Sequence, residues 1–167
     1  MTATFDLVES LHSVTMLIPQ VGVAGVTSDY ISLKNAHMAW VVIDFTEGAG
    51  EGVTFTLLKA TAVLPSNSTA FVAANNAPIW SNLDSTASDR LVERTAGITY
   101  LTNSVASGKR VIFKIDPASL GELAGTGPYD CIAFSTTLNA GDYISAVCWI
   151  LPRYAEQAST ALTALTD

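Results

Sequence analysis

The clearest hydrophobic pattern in the chain is an alternation of apolar and polar positions on both sides of a glycine-rich stretch. Before it, one face of a strand would carry Ala39, Val41, Ile43 and Phe45, and after it one face would carry Val53, Phe55, Leu57, Thr61 and Val63, with Lys59 interrupting the series. A side-chain period of two is typical of a strand with one buried face. The pattern predicts two long strands, and the short connection Glu47 to Gly52 predicts that they pair as a β-hairpin.

Shorter apolar and β-branched segments recur along most of the chain, separated by residues that favour turns. They span residues 13–18, 28–33, 90–95, 97–102, 110–115, 129–136 and 142–151. Pro19 should end the first segment, because proline cannot donate to a ladder. Asp116 and Pro117 should begin one helical turn, as N-cap and first helical residue. Many short strands without a long helix predict an all-β fold, an antiparallel β-sandwich of either jelly-roll or immunoglobulin-like topology.

The length of 167 residues suits one domain. A chain of this size buries roughly 68–70% of the surface that its unfolded form exposes, so disulfides or metals are not needed for stability. We expect an N-terminal arm or first strand at residues 1–12, the β-sandwich at 13–154 and a C-terminal arm at 155–167. The last segment is rich in Ala, Thr and Leu and has no packing pattern strong enough to predict an element, so we interpret it as an arm.

Charge is sparse and mostly acidic. Charged residues make up 14% of the chain, against roughly 25% in an average globular protein, and the formal net charge is −7. The densest basic spots are the pair Lys109 and Arg110, and Arg90 with Arg94. Such small basic spots on an acidic chain are too weak to attract phosphate groups, so we predict no direct binding of nucleic acid and no attraction to an anionic membrane. The sequence also lacks a signal-peptide pattern and an apolar run of about 20 residues, so we expect synthesis in the cytoplasm.

The cysteines and histidines lack the spacing of a metal or redox site. Cys131 and Cys148 both fall inside predicted strands, no CxxC motif is present, and His12 and His37 are not spaced as metal ligands. Buried thiols are the expected state of both cysteines. A cross-strand disulfide between them stays open, since sequence alone cannot test its geometry.

Three candidate arrangements for catalysis have simpler structural explanations. Gly48 to Gly52 resembles a phosphate-binding loop but lies between two strands, with neither a helix N-terminus nor a lysine beside it. Neither histidine is accompanied by a nucleophile motif.

The third candidate is a set of carboxylates in one segment. Asp84, Asp89 and Glu93 alternate with Arg90 and Arg94, which predicts local ion pairing rather than acid–base catalysis. Asp130 and Asp142, each at the start of a strand, should make turn hydrogen bonds. We therefore predict no catalytic, cofactor-binding or metal-binding residues, no cofactor and no enzymatic activity.

The aromatic residues leave a carbohydrate-binding function open. Exposed rings on a sandwich can stack on sugars, and the candidates are Trp40, Trp80, Trp149, Tyr100, Tyr129 and Tyr143. Trp40 and Trp149 lie on predicted strands and are better explained as core or interface residues. Trp80, placed between predicted turns, is the one expected at a surface.

Several segments, taken in order, resemble a family of small virion proteins of tailed bacteriophages that decorate or cement the head. They are residues 40–46 (WVVIDFT), 53–60 (VTFTLLKA), 79–82 (IWSN), 89–94 (DRLVER), 110–120 (RVIFKIDPASL), 129–132 (YDCI) and 150–154 (ILPRY). The resemblance extends from about His12 to Tyr154 and depends on the order and spacing of the segments, because no single one is diagnostic.

The resemblance implies a structural role and transfers no catalytic residue to this sequence. The expected function is decoration and stabilisation of the phage head by binding the major capsid protein, in a homotrimer or homodimer on the head surface, after synthesis in the host cytoplasm. The alternatives are a head–tail connector or tail structural protein, and a carbohydrate-binding module on the virion surface. The two predicted arms would reach neighbouring subunits, as exposed strand edges can in an assembly.

Overall fold

The computed structural model describes residues 11–22, 25–48, 51–65 and 67–153. The predicted C-terminal arm and residues 1–10 of the N-terminal arm lie outside these ranges. Regular structure within them consists of strands and two short 3-10 turns, Ala73–Asn75 and Pro117–Ser119. The strands are β1 (His12–Val21), β2 (Ile31–Ser32), β3 (Ala36–Thr46), β4 (Thr54–Ala60), β5 (Thr69–Ala70), β6 (Ala77–Asn82), β7 (Val92–Gly97), β8 (Thr99–Leu101), β9 (Gly108–Ile115), β10 (Glu122–Leu123), β11 (Gly127–Pro128), β12 (Cys131–Thr136) and β13 (Tyr143–Pro152).

Two antiparallel sheets pack face to face, which confirms the predicted all-β sandwich. The larger sheet has the strand order β1-β13-β3-β9-β6-β7, and the smaller has the order β2-β12-β4-β5, with β8 also paired to β4. Strands β1 to β4 alternate between the sheets, and so do β9, β12 and β13. The order β1-β13-β3-β9 facing β2-β12-β4-β5 is that of a jelly roll, which settles the topology that the sequence left open.

The predicted hairpin is wrong, because β3 and β4 lie in opposite sheets. Strand β3 pairs with β13 and β9, whereas β4 pairs with β12, β5 and β8. The rings of Phe45 and Phe55 meet edge to face across the core, with centroids 5.0 Å apart. Alternation identifies the buried face of a strand but not its neighbour. Here the connection crosses the roughly 10 Å between packed sheets instead of reversing within one sheet.

The inward faces predicted for these two strands are correct. Ala39, Val41, Ile43 and Phe45 are all buried, and so are Val53, Phe55 and Leu57 on the opposing strand. Lys59 does not interrupt this series, because it too points inward and is 5% exposed. Thr61 and Val63 lie beyond the end of β4 and are only half-buried. The core is therefore continuous between the two sheets along the length of β3 and β4.

Of three smaller predictions, the helical turn is confirmed, whereas the end of β1 and the strand at 97–102 are corrected. Pro19 does not end β1, which continues to Val21; β1 is an edge strand, where a missing N–H is tolerated. The helical turn at Pro117–Ser119 is confirmed, with the Asp116 carboxylate accepting from the Ala118 N–H at 3.0 Å. The strand predicted at 97–102 is broken at Ile98, because β7 belongs to the larger sheet and β8 pairs with the smaller.

Candidate interaction surfaces

Strand β7 forms an open edge of the larger sheet. It pairs with β6 on one side, and no described strand pairs with its other side. Four of its six residues are exposed, and Arg94 is held in place by a 2.8 Å hydrogen bond from its Nε to the Ser81 hydroxyl. An uncovered edge offers unpaired backbone N–H and C=O groups to another strand.

The opposite edge, β1, is less suited to strand addition. Its pairing with β13 is interrupted by register shifts between Thr15 and Leu17 and between Leu17 and Gln20. Pro19 removes one backbone donor, and Ile18 is 68% exposed. Bulges and prolines are common means by which edge strands avoid pairing with other chains. The pairing of β7 with β6 has one register shift, between Ala77 and Ile79, and β7 contains no proline. With fewer interruptions than β1, the β7 edge is the better candidate for a contact through backbone hydrogen bonds.

The solvent side of the larger sheet carries a contiguous apolar patch, here called the outer apolar face. Its strand register places Trp40 beside Trp149, and Val42 between Val147 and Ile112. Ile112 in turn lies beside Trp80. All of these side chains are half-buried. The face comprises Met38, Trp40, Val42, Trp80, Ile112, Val147, Trp149 and Leu151.

Charged side chains border this patch on two sides. Next along the strands, Arg110 donates to the Asp44 carboxylate through Nε at 2.6 Å and through a terminal nitrogen at 2.9 Å. This bidentate hydrogen bond raises the pKa of the Arg110 guanidinium above its ordinary value. Lys114 lies beside Trp40, and Glu93 beside Trp80. The apolar area is thus limited to the part of the sheet nearest to the end of β13.

A groove of about 450 Å³ lies beside the ion pair, and its lining comes from the ends of β1 and β3 and the starts of β9 and β13. Pro19, Val21, Asp44 and Tyr143 are among the lining residues. The groove is open to solvent and mixes polar with apolar lining. Nothing in it assembles the paired groups that a catalytic site requires.

The crossing between β3 and β4 is fastened by a buried ion pair that sequence reasoning missed. The Glu47 carboxylate contacts the Lys109 amine, and their side chains are 2% and 0% exposed. The other Glu47 oxygen accepts from the Gly52 N–H at 2.8 Å, and Lys109 also donates to the Asn103 carbonyl at 2.6 Å. The sequence did contain one signal for this contact. Glu47 begins the stretch that was interpreted as a plain turn, and carboxylates often accept hydrogen bonds from backbone N–H groups in turns.

Asp142 confirms its predicted role in turn hydrogen bonding and does more than that. It is fully buried, and one oxygen accepts from the Asn139 N–H at 2.8 Å within its own turn. The other accepts from the Gly48 N–H at 2.8 Å, which ties the start of β13 to the crossing after β3. Two carboxylates therefore link the crossing to distant parts of the chain: Glu47 contacts Lys109 on β9, and Asp142 at the start of β13 accepts from the Gly48 N–H.

Lys59 is a second buried cation, and its contacts join β4 to the two 3-10 turns. Its amine donates to Asn75 Oδ1 at 3.0 Å and to the Leu120 carbonyl at 2.6 Å, and lies 4.5 Å from the Tyr129 ring centroid. Burial lowers the pKa of this amine below its ordinary value. No carboxylate pairs with it among the described residues, so neutral acceptors and the ring face stabilise the charge.

The predicted ion pairing among Asp84, Asp89, Glu93, Arg90 and Arg94 is not present. Within the described residues none of the five forms a salt bridge with another. Asp84 instead accepts from the Thr86 hydroxyl at 2.6 Å and from two backbone N–H groups, and the Thr86 hydroxyl is the main cause of a lowered Asp84 pKa. The short Asp84 side chain hydrogen-bonds within its own turn, as aspartates often do, and makes no ion pair with Arg90 or Arg94.

Cys131 and Cys148 are buried thiols, as expected, and lie in opposite sheets without a disulfide. Burial raises the pKa of the Cys148 thiol. Among the described residues, no three His, Cys, Asp or Glu side chains are grouped so that they could hold a metal ion. The same part of the chain contains no helix long and apolar enough to cross a membrane.

The six aromatic candidates do not form one binding surface. Trp40, Trp80 and Trp149 share the outer apolar face, but Tyr129 is buried against Lys59. Tyr100 is half-buried with its hydroxyl 2.8 Å from the Ser81 hydroxyl, and only Tyr143 is well exposed. Trp80 lies within β6 rather than between turns, and it is half-buried like the other two tryptophans.

Comparison with known proteins leaves the family of this chain open. No protein-family model matches the chain, and no curated protein matches it. Among solved structures, the protein YomS derived from the SPBc2 prophage is 10% identical over 84% of this chain and 92% of its own, with a TM-score of 0.44. The structure of the Gt strain of infectious bursal disease virus is 15% identical over 98% of this chain and 45% of its own, with a TM-score of 0.24. Similarities this weak establish neither a shared fold nor a shared function.

Proposed function

We propose that this protein is a structural protein of a bacteriophage virion that decorates the head by binding the major capsid protein. The proposal starts from the ordered sequence segments that resemble phage decoration proteins. The observation in the structure that best supports it is the open edge strand β7 at the side of a jelly-roll sandwich. Jelly rolls occur in capsid proteins, although a fold alone does not specify a function.

The physical demands on a decoration protein are a rigid body and a contact that many copies can make at once. The continuous core between the two sheets meets the first demand. The β7 edge meets the second, because an extended segment of a shell subunit could add to it as a further strand. Each contact can be modest, since a decorated shell presents many sites and linked contacts reinforce one another.

Purified heads provide the direct test. The protein should be present in many copies per head, should be removable by mild denaturant, and should rebind to stripped heads and restore their resistance to heat. Absence of the protein from heads, or its presence only in tails, would contradict the proposal. A copy number of a few per virion would instead indicate a connector or tail component.

A matched pair of variants tests the role of the β7 edge. Ala96→Lys places a charge on that edge, and Ala70→Lys makes the same change on β5, at the edge of the smaller sheet; both alanines are exposed. Rebinding of Ala96→Lys to stripped heads should weaken by about tenfold or more, since edge lysines oppose strand addition. Ala70→Lys should bind like the parent. Equal binding by both variants would exclude the β7 edge as the contact.

A carbohydrate-binding function is the second candidate, favoured by the three tryptophans on one sheet face. Flat aromatic surfaces stack on sugar rings, and jelly rolls also occur in lectins. A glycan array with parent protein and a Trp80→Ala variant decides this. Binding that is lost in the variant would support a lectin, and no binding across a broad array would exclude it.

A further inference from the structure

Beside the Asp44–Arg110 ion pair, the solvent side of the larger sheet changes from apolar to rich in hydroxyl groups. Tyr143 on β13 lies opposite Thr46 on β3, and Ser145 lies opposite Asp44. Residues directly opposite each other in an antiparallel pair share one face of the sheet. These four side chains point away from the core, because the residues between them along each strand are buried. All four line the groove of about 450 Å³ described above.

A further hydroxyl reaches the same groove from the loop after β6. The Ser85 N–H donates to the Gly108 carbonyl at 2.8 Å, and Gly108 lies opposite Thr46. Glycine permits this close approach, because a Cβ at position 108 would lie 2.5 Å from Ser85 Oγ. The hydroxyls of Thr46, Ser85, Tyr143 and Ser145 make no hydrogen bond to another described residue. Their donors and acceptors are therefore available to a ligand.

The groove carries almost no net charge. Its lining contains two charged residues, Asp44 and Lys109. Arg110 neutralises the Asp44 carboxylate through two hydrogen bonds, and this carboxylate stays 47% exposed, with lone pairs left for other donors. The Lys109 side chain is fully buried, and its amine contacts the Glu47 carboxylate. A neutral lining of this kind does not attract phosphate or another strongly charged ligand.

An exposed ring beside several hydroxyls suits a sugar. Tyr143 is 59% exposed. The face of an aromatic ring carries partial negative charge, and the C–H groups of a sugar ring carry partial positive charge, so the two pack against each other. The sugar hydroxyls then need donors and acceptors around the ring, which the surrounding lining supplies. The volume of the groove lies within the range of roughly 300–1,000 Å³ that is usual for small-ligand sites.

We propose that this groove binds a neutral saccharide, with Tyr143 stacked on a sugar ring and Asp44 and the neighbouring hydroxyls bound to the sugar hydroxyls. The site is separate from the outer apolar face, since the Asp44–Arg110 pair lies between them along the strands. It therefore moves the carbohydrate-binding site from Trp80 to Tyr143. The inference does not depend on decoration of the head, because no residue of β7 lines the groove.

The test probes an array of neutral, sialylated and sulfated glycans with the full chain and then titrates the neutral glycan that binds most strongly. Tyr143→Ala should weaken that binding by at least about tenfold, as loss of a central aromatic contact does. Leu101→Ala on β8 is the matched control, because Leu101 is also well exposed, at 64%, and lies in the other sheet. It should bind like the parent. Circular dichroism melting verifies that both variants fold. Failure to bind any neutral glycan, binding of charged glycans alone, or equal binding by the two variants overturns the proposal.

A second matched pair removes one hydroxyl and keeps the shape of the side chain. Thr46 and Thr99 are both exposed strand residues. Thr46→Val should weaken binding by about two- to tenfold, the effect of losing one hydrogen bond, whereas Thr99→Val should bind like the parent. Backbone amide shifts in nuclear magnetic resonance spectra of the parent with the same glycan should change most at residues 44–46 and 143–145. Equal affinities of the two variants, or shift changes centred on Trp80, overturn the proposal.

Discussion

The buried Glu47–Lys109 pair offers the sharpest test of how the crossing between the two sheets is held. Replacing Lys109 by Met keeps the alkyl chain but leaves the Glu47 carboxylate, 2% exposed, without its cation. Replacing Glu47 by Gln leaves the fully buried Lys109 ammonium with neutral acceptors such as the Asn103 carbonyl but without a counter-charge. Removing one partner of a buried pair costs about 3–5 kcal/mol, because an uncompensated charge stays in the interior.

The magnitude makes the measurement straightforward. Domains are stable by about 5–15 kcal/mol, so each single substitution should remove a large fraction of the total. With about 2–4 °C per kcal/mol for a chain of this size, the melting temperature should fall by about 6–20 °C. Guanidinium unfolding followed by far-ultraviolet circular dichroism gives the free energies. The double variant should cost clearly less than the sum of the singles, with a coupling of about 1–3 kcal/mol.

The control is the chemically similar pair on the adjacent residue of β9. Arg110 and Asp44 form a bidentate ion pair whose side chains are 50% and 47% exposed. Because solvent screens exposed pairs, Asp44→Asn should cost less than about 1 kcal/mol. If Lys109→Met lowers the free energy of unfolding no more than Asp44→Asn does, or if the effects of Lys109→Met and Glu47→Gln simply add, the buried pair does not stabilise the crossing.

Three further predictions concern the core and its turns. Phe55→Asp or Val41→Asp should abolish cooperative unfolding, because both side chains are fully buried and an aspartate there would be an unpaired charge; a folded circular dichroism spectrum would show that the inward face is misassigned. Gly52→Ala should lower the free energy of unfolding, measured in guanidinium, by more than Gly121→Ala does. Both glycines have positive φ, at 76° and 75°, but only at Gly52 would the new Cβ lie 2.9 Å from a backbone oxygen. Burial lowers the pKa of Lys59, so the unfolded chain binds that proton more tightly than the folded protein does. The free energy of unfolding of the parent, relative to that of Lys59→Met, should therefore rise as the pH approaches 10.5. A difference that does not change with pH would contradict this.

Sequence reasoning was strongest where one strand could be read by itself. The alternation around β3 correctly separated buried from outward residues, and the capped turn at Asp116 was correct in detail. The sequence-based predictions were wrong where the position of a side chain depends on a contact with residues far away in the sequence. Lys59 was taken as a break in the buried face, because its acceptors Asn75 and Leu120 are 16 and 61 positions away. The predicted ion pairing in the segment from Asp84 to Arg94 is absent for a related reason: Asp84 accepts hydrogen bonds within its own turn, and Arg94 donates to the Ser81 hydroxyl.

The candidate interaction surfaces could not be predicted from the sequence. Trp40, Trp80 and Trp149 are separated by long stretches of chain and share a face only because β13, β3, β9 and β6 are neighbours. Of the two predicted arms, residues 1–10 and 155–167 lie outside the described residues, and His12 begins β1. The open edge of β7 could not be read from its sequence, since the residues of a paired strand and an unpaired one have the same alternation.

What the sequence by itself determined is the all-β class and the inward face of the principal strands, because a period of two in hydrophobicity is a local property of an extended backbone. Only the tertiary structure decided that the two best-patterned strands belong to opposite sheets. Pairing depends on which distant strands compete for the same backbone groups, and on the buried Glu47 and Asp142 contacts that hold the chain as it crosses between sheets. The jelly-roll order, the open edge and the outer apolar face all follow from that choice of partners.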